Sequence, residues 1–263
     1  MPVPETRPLD EWEDWDRETV LKSRYSILVE NEEAFYPDVE FVPPGVEPDG
    51  EAIVSHMRHE PMVQEYVPGD GEYGFFALFD RGSPLATFQH RRIRSYTYSG
   101  GASVFRESIN DSQLESADLR LLDSLDWHGP AMVEFKRDAR TGQFTLMEIN
   151  PRFWGSLALA VNARVDFPYL YYRLATGGPL ERASHYETGL GCHRLTGELS
   201  YLHSVARYDL EHVERPALLP AVGKVIASTL REPHFDFLAV DDPAPFVQDC
   251  FDMVGELKAE IAE

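Results

Sequence analysis

Residues 127–152 confine the chain more than any other segment. WHGPAMVEFKRD and QFTLMEINPR each alternate apolar and polar residues, and the turn sequence ARTG separates them. Alternation at period two marks strands, so the segment is expected to be an antiparallel hairpin. On that pattern Met132 and Glu134 share one face, and Leu146, Glu148 and Asn150 share one face of the second strand. Carboxylates then stand on adjacent strands facing one side, with an amide two residues beyond the second. Such an oxygen-rich patch suits a hard cation such as Mg²⁺, which takes one or two carboxylates together with substrate phosphates. Spacing alone leaves a second reading open, a solvated hairpin face whose carboxylates meet Lys and Arg.

The rest of the chain reads as strands followed by helices. The first 19 residues are polar and proline-bearing and are expected as an extended lead-in. TVLKSRYSILV, from Thr19, predicts a strand carrying Lys22. Residues 37–50 hold too many Pro and Gly for a regular element and read as a loop. A short helix over Gly50–Glu60 comes next, then a strand at MVQEYV and a turn at PGDG. YGFFALF, the turn DRGS and LATFQHRRI form a meander. Apolar residues near a 3.6 period predict a helix over Ser108–Leu125. Further helices are expected over Trp154–Asn162, Phe167–Ala175, Leu199–Asp209 and Phe246–Ala262, and His193 reads as a satisfied structural histidine. The class is α+β, with an antiparallel sheet flanked by helices. Its divisions are a lead-in over 1–19, a nucleotide and metal region over 20–180, and a helical extension over 181–263 packed on the same domain.

Charge narrows the function. Among 263 residues, 24 Lys+Arg face 45 Asp+Glu, a formal net charge of −21. Only Lys22, Lys136, Lys224 and Lys258 are lysines, a make-up that suits a salt-rich interior, where short screening lengths relieve self-repulsion. An ordinary acidic enzyme is the other reading. No basic stripe exists to neutralise phosphates, so nucleic acid is not an expected partner. No apolar run approaches the roughly 20 residues of a spanning helix, so no membrane is expected either. Met1–Arg7 lacks a secretory n-region, and Cys192 and Cys250 cannot build a disulfide framework. The expected compartment is the cytoplasm.

The wording of the hairpin goes further. MVEFKRD…FTLMEINPRFWGS resembles the metal-binding hairpin of the ATP-grasp superfamily, an acidic strand residue followed by E-x-N-x-R. The resemblance implies Glu134, Glu148 and Asn150 as metal ligands and Arg152 as the residue that steadies substrate or acyl phosphate. VLKSR resembles the strand whose lysine contacts the α/β-phosphates, implying that role for Lys22. QEYVPGDGE resembles the hinge that seats adenine, implying Gln64, Glu65, Tyr66 and Val67 at the base and Glu72 at the ribose. QHRRIR resembles the cationic strand that reaches the γ-phosphate, with Arg91 first and Arg94 or Arg92 second. SGGAS and Arg106 are implied as a mobile wall over the second substrate. The run Val63–Leu174 looks like the carboxylate–amine ligase branch, related to carbamoyl-phosphate synthase large subunits and biotin carboxylases.

The implied chemistry is ADP-forming. A carboxylate is a poor electrophile because its leaving group would be oxide; phosphorylation by ATP, with Mg²⁺ or Mn²⁺, gives an acyl phosphate that an amine can displace. Implied partners are small-molecule carboxylate and amine substrates, with association to another protein or to itself. Members of the superfamily usually carry about a hundred residues before the Lys22 strand, so the sequence implies an N-terminally truncated catalytic region lacking that lobe. RYSILVENEEAFYP also stands where many members have a glycine-rich lid. Two further functions follow: a nucleotide-binding subunit, weak or inactive alone, and an acyl-phosphate synthetase or carboxylase that makes no amide.

Overall fold

A computed structural model describes residues 1–25, 27–30, 33–35, 37, 39–180, 182, 183, 185–209 and 213–262. Residues 26, 31, 32 and 36 of the segment expected as strand and lid region, residue 38 of the expected loop, and residue 181 at an expected boundary lie outside the described residues. The chain divides into two units, residues 1–70 with 136–147, and residues 71–135 with 148–263.

In the first unit β1 (Thr6–Pro8), β2 (Thr19–Lys22), β5 (Glu40–Val42) and β6 (Met62–Glu65) form a sheet ordered β1-β6-β2-β5. β3 (Leu28–Glu30) and β4 (Glu33–Phe35) pair separately. The expected strand from Thr19 to Val29 is therefore two shorter ones. The expected lead-in is part of the fold: β1 pairs with β6, and Trp12 packs with Leu21, Val42, Met57 and Val63. Helix α1 (Gly50–Met57) starts at Asp49, whose carboxylate accepts from the amides of Glu51 and Ala52, a side-chain cap for otherwise orphaned donors.

The second unit is built on the sheet β11-β10-β7-β8-β9-β12. Its strands are β7 (Gly69–Asp80), β8 (Ser83–Thr97), β9 (Gly100–Ser108), β10 (Gly129–Asp138), β11 (Phe144–Asn150) and β12 (Gly191–His193). The first two join through Arg81 and Gly82, at φ 44° and 77°, the paired positive values a two-residue hairpin turn demands. One face of the sheet carries Phe76, Phe88 and Met132 into a core with Trp154 and with α3 (Leu157–Asn162) and α4 (Phe167–Ala175). α2 (Ser112–Ser124) contacts β8 and buries Leu114, Asp118 and Leu122 at four-residue spacing. α5 (Leu195–Arg207) lies against β8 and β9, with Gly197 where a Cβ would stand 2.4 Å from Val104. α6 (Leu218–Arg231) and α7 (Ala244–Ala262) complete the order. No described helix is long and apolar enough to cross a membrane.

Candidate active site

Strand alternation sets the carboxylate face. Met132 enters the core, so Glu134, two residues on, points to the same side of the sheet beyond the apolar part. There Arg92 of β8 reaches it, Nη2 to Oε1 at 3.5 Å. The same guanidinium donates through Nη1 to Glu72 and to the Gly101 carbonyl, the latter at 2.9 Å. Burial raises the Glu134 carboxyl above its ordinary range; Arg92 and Arg152 oppose the shift, and Glu148 and Glu72 add to it. Glu148 is exposed and Asn150 half-buried on β11, and exposed Arg152 follows, its Nη1 donating to the Phe153 carbonyl at 3.1 Å. Three glutamates thus share a neighbourhood with two arginines.

Arg91 is not in this group. It points to the opposite face and pairs with Glu107 at 2.7 Å. The reason is a register shift. Asp80↔Ser83 and Phe79↔Pro84 pair as the turn dictates, but a bulge between Leu78 and Phe79 moves every later pair by one residue, giving Tyr73↔Arg91. A count outward from the turn would set Glu72 opposite Arg91, whereas the shift sets it opposite Arg92. A one-residue slip exchanges the two faces.

Arg94 and Arg106, also named from sequence, are engaged elsewhere. Arg94 is spent on Glu198, at 2.8 and 2.7 Å, and on the Ser228 hydroxyl at 2.6 Å. Arg106 is no wall residue. It is 1% exposed, ion-paired with Asp236, and burial lowers its guanidinium to about 10. Ser99–Ser103 forms the turn into β9 and its start, with Gly100 and Gly101 at φ 145° and 96°. His90 is a residue the sequence reading missed. It is buried on the Arg92 face, and burial with the nearby Arg106 and Arg92 holds it well below the usual histidine range, hence neutral. Its signal was the alternation Phe88, His90, Arg92. His193 is buried and bonded through Nδ1 to Glu198 at 2.8 Å, but its buried Nε2 has no hydrogen-bond partner among the described residues, so the expected satisfied histidine is only half satisfied.

In the first unit Lys22 donates from Nζ to Gln64 Oε1 at 2.7 Å, and Gln64 donates in turn to Thr6 Oγ1 at 2.9 Å. The two residues are held together at the β2–β6 pairing. The amides of Glu65 and Tyr66 already donate to the carbonyls of Glu5 and Glu18, at 2.9 and 3.1 Å, so they are not open to a base. The Glu65 carboxylate meets Arg140 at 3.1 Å. Val67 is buried, and the Tyr66 ring lies between Phe41, at 5.8 Å, and the Lys136 ammonium, at 5.2 Å.

No group of three or more His, Cys, Asp or Glu suited to a metal ion is assembled among the described residues. Two carboxylates and an amide oxygen still fit Mg²⁺ or Mn²⁺, whose remaining positions are ordinarily filled by phosphate and water. The surplus of carboxylate around Glu134 calls for added positive charge.

The strands, flanking helices and carboxylate hairpin define the chain as an α+β protein with an antiparallel sheet. The chain belongs to the ATP-grasp family: the family described as ATP-grasp in the biosynthetic pathway with Ter operon matches residues 58–198, more than half of the chain. It is 24% identical over 222 residues to the carbamoyl phosphate synthase large chain of Sulfurisphaera tokodaii, covering 79% of this chain and 20% of that protein. Two solved structures share the fold. N5-carboxyaminoimidazole synthetase of Staphylococcus aureus, complexed with ADP, superposes with a TM-score of 0.55 at 16% identity, over 72% of this chain and 51% of that one. Biotin carboxylase of Campylobacter jejuni superposes with a TM-score of 0.54 at 13% identity, over 73% and 46%. The chain thus spans a fifth of the synthase and about half of each solved chain.

Proposed function

We propose that this chain binds ATP with Mg²⁺ or Mn²⁺ and uses it to join a small-molecule carboxylate to an amine through an acyl phosphate, releasing ADP and phosphate. The observation that carries the reading is Arg92 held between Glu72 and Glu134, with Glu148, Asn150 and Arg152 on the neighbouring strand end. Glu134, Glu148 and Asn150 would hold the metal. When bound, it would supply positive charge against the phosphates. Arg92 replaces Arg91 as the guanidinium assigned to the transferred phosphate. Its two carboxylate partners fix its position before phosphate arrives, which limits the reorganisation needed on binding. Arg152, free of a carboxylate hydrogen bond among the described residues, is assigned to the substrate carboxylate or the acyl phosphate. In the first unit Lys22 is assigned to phosphate, Gln64 and the Val67 backbone to the base, and Tyr66 to its edge; Glu65, tied to Arg140, supports that segment.

The test is calorimetry of Mg-ATP binding to the whole chain, wild type against Glu148→Gln, Arg92→Ala and Lys22→Ala, followed by phosphate release over panels of carboxylates and amines. Binding weakened at least tenfold in all three variants, with phosphate release that needs both co-substrates, is the expected result. Binding unchanged in all three refutes the site. A second reading is a nucleotide-binding subunit without turnover of its own, favoured by Arg106 being committed to Asp236 rather than to a second-substrate wall. It predicts normal Mg-ATP binding and no release with any pair.

A further inference from the structure

The first unit contains a recess of about 690 Å³ lined by none of the residues assigned to the nucleotide. Two stretches build it, 9–15 around β1's end and 47–60 around α1. Trp12 and Trp15 supply aromatic wall, and Asp10, Glu47, Glu51 and Glu60 supply charge; no Lys, Arg or His lines it. The wall is held in place. Trp12 is 6% exposed and donates from its indole N–H to the Asp14 carbonyl at 2.8 Å; the Trp15 carbonyl accepts from Gly45 at 2.7 Å. The carboxylates are short of cations. Asp10, Glu47 and Glu51 make no side-chain ion pair among the described residues, and Glu60 reaches Arg24 only at 3.9 Å.

We infer that this recess binds a small organic ammonium ion. Aromatic faces attract cations, and the chain demonstrates this on one of these rings: the Arg17 guanidinium stands 4.9 Å from the Trp12 centroid. Anions are repelled by four carboxylates. A neutral apolar ligand would strip water from those charges without replacing it. An inorganic dication requires a convergent oxygen cluster, and none is assembled among the described residues. An alkylammonium alone satisfies both surfaces, its carbon body on the indoles and its charge toward the rim. The volume lies within the range of small-molecule sites, about 300–1,000 Å³. The inference is independent of the nucleotide reading, because it uses no residue of that site.

The experiment titrates the whole chain, without nucleotide, at low ionic strength with choline, with its neutral isostere in which carbon replaces the nitrogen, and with a doubly capped lysine. Calorimetry and quenching of tryptophan fluorescence provide the readouts. Saturable binding of an ammonium probe, about tenfold weaker for the isostere, is expected. The double variant Glu47→Gln/Glu51→Gln should weaken it severalfold, and Trp15→Leu should abolish it. Trp15→Phe, which keeps a ring, guards against loss through misfolding and should retain part of the affinity. A preference for choline points to a free small-molecule ammonium as the natural occupant, and a preference for capped lysine to a peptide side chain. Equal binding of the isostere, indifference to the glutamine substitutions, or no saturation by either ammonium overturns the inference.

Discussion

Asp118 offers a quantitative test of how the second unit is held together. It sits on the buried side of α2 between Leu114 and Leu122, fully buried, and neither carboxyl oxygen has a hydrogen-bond partner among the described residues. Burial pushes this carboxyl up to about 9. An Asp in the unfolded chain ionises near pH 4. Between those limits the folded state holds a proton that the unfolded state has lost, so the group's contribution is intact below about pH 4 and declines as pH rises toward 9. The decline is about 1.4 kcal/mol per pH unit, which accumulates to roughly 4 kcal/mol at neutral pH. Asp118→Asn keeps the shape and removes the titration. Urea unfolding of both proteins from about pH 5 to pH 8, followed by tryptophan fluorescence, isolates the difference, since the other carboxylates titrate alike in both. The variant should gain stability over wild type with each unit of pH, and the two should converge near pH 4. A stability difference that stays flat across that range would refute the assignment of Asp118 as a neutral buried acid.

Three further outcomes follow from the geometry. Arg92→Ala should weaken Mg-ATP binding at least tenfold while Arg91→Ala, which breaks only the exposed pair with Glu107, changes it less than twofold in the same calorimetry. Gly197→Ala should destabilise the second unit by about 1–3 kcal/mol, read as a lowered melting temperature, because the added methyl meets Val104 at the α5–β9 packing. Asp236→Ala should cost about 3–5 kcal/mol by leaving the Arg106 guanidinium buried without its counter-charge, whereas a joint Arg106→Met/Asp236→Leu replacement should recover most of that loss in denaturant unfolding.

The elements legible in the sequence are those whose signal is local. The β10–β11 hairpin is carried by period-two alternation, and the β7–β8 turn by Arg-Gly between two apolar runs. β1 and β12, three residues each, have no such signal, because each exists only by pairing with a strand far away in sequence, Thr6 with Gln64 and Gly191 with Glu107. α6 was missed for a related reason: Pro220 and Gly223 stand inside it and read as breakers, although Pro is tolerated in a first helical turn, where its missing N–H costs nothing. The candidate site divides along the same line. That Glu148 and Asn150 share a face follows from alternation along one strand. The partners gathered at Glu134 do not follow so directly, because each depends on a strand register. Arg91 and Arg92 differ by half a strand period, and which one meets Glu72 is decided fourteen residues away by the bulge between Leu78 and Phe79. That shift hands the carboxylate face to Arg92 and leaves Arg91 to solvent and Glu107.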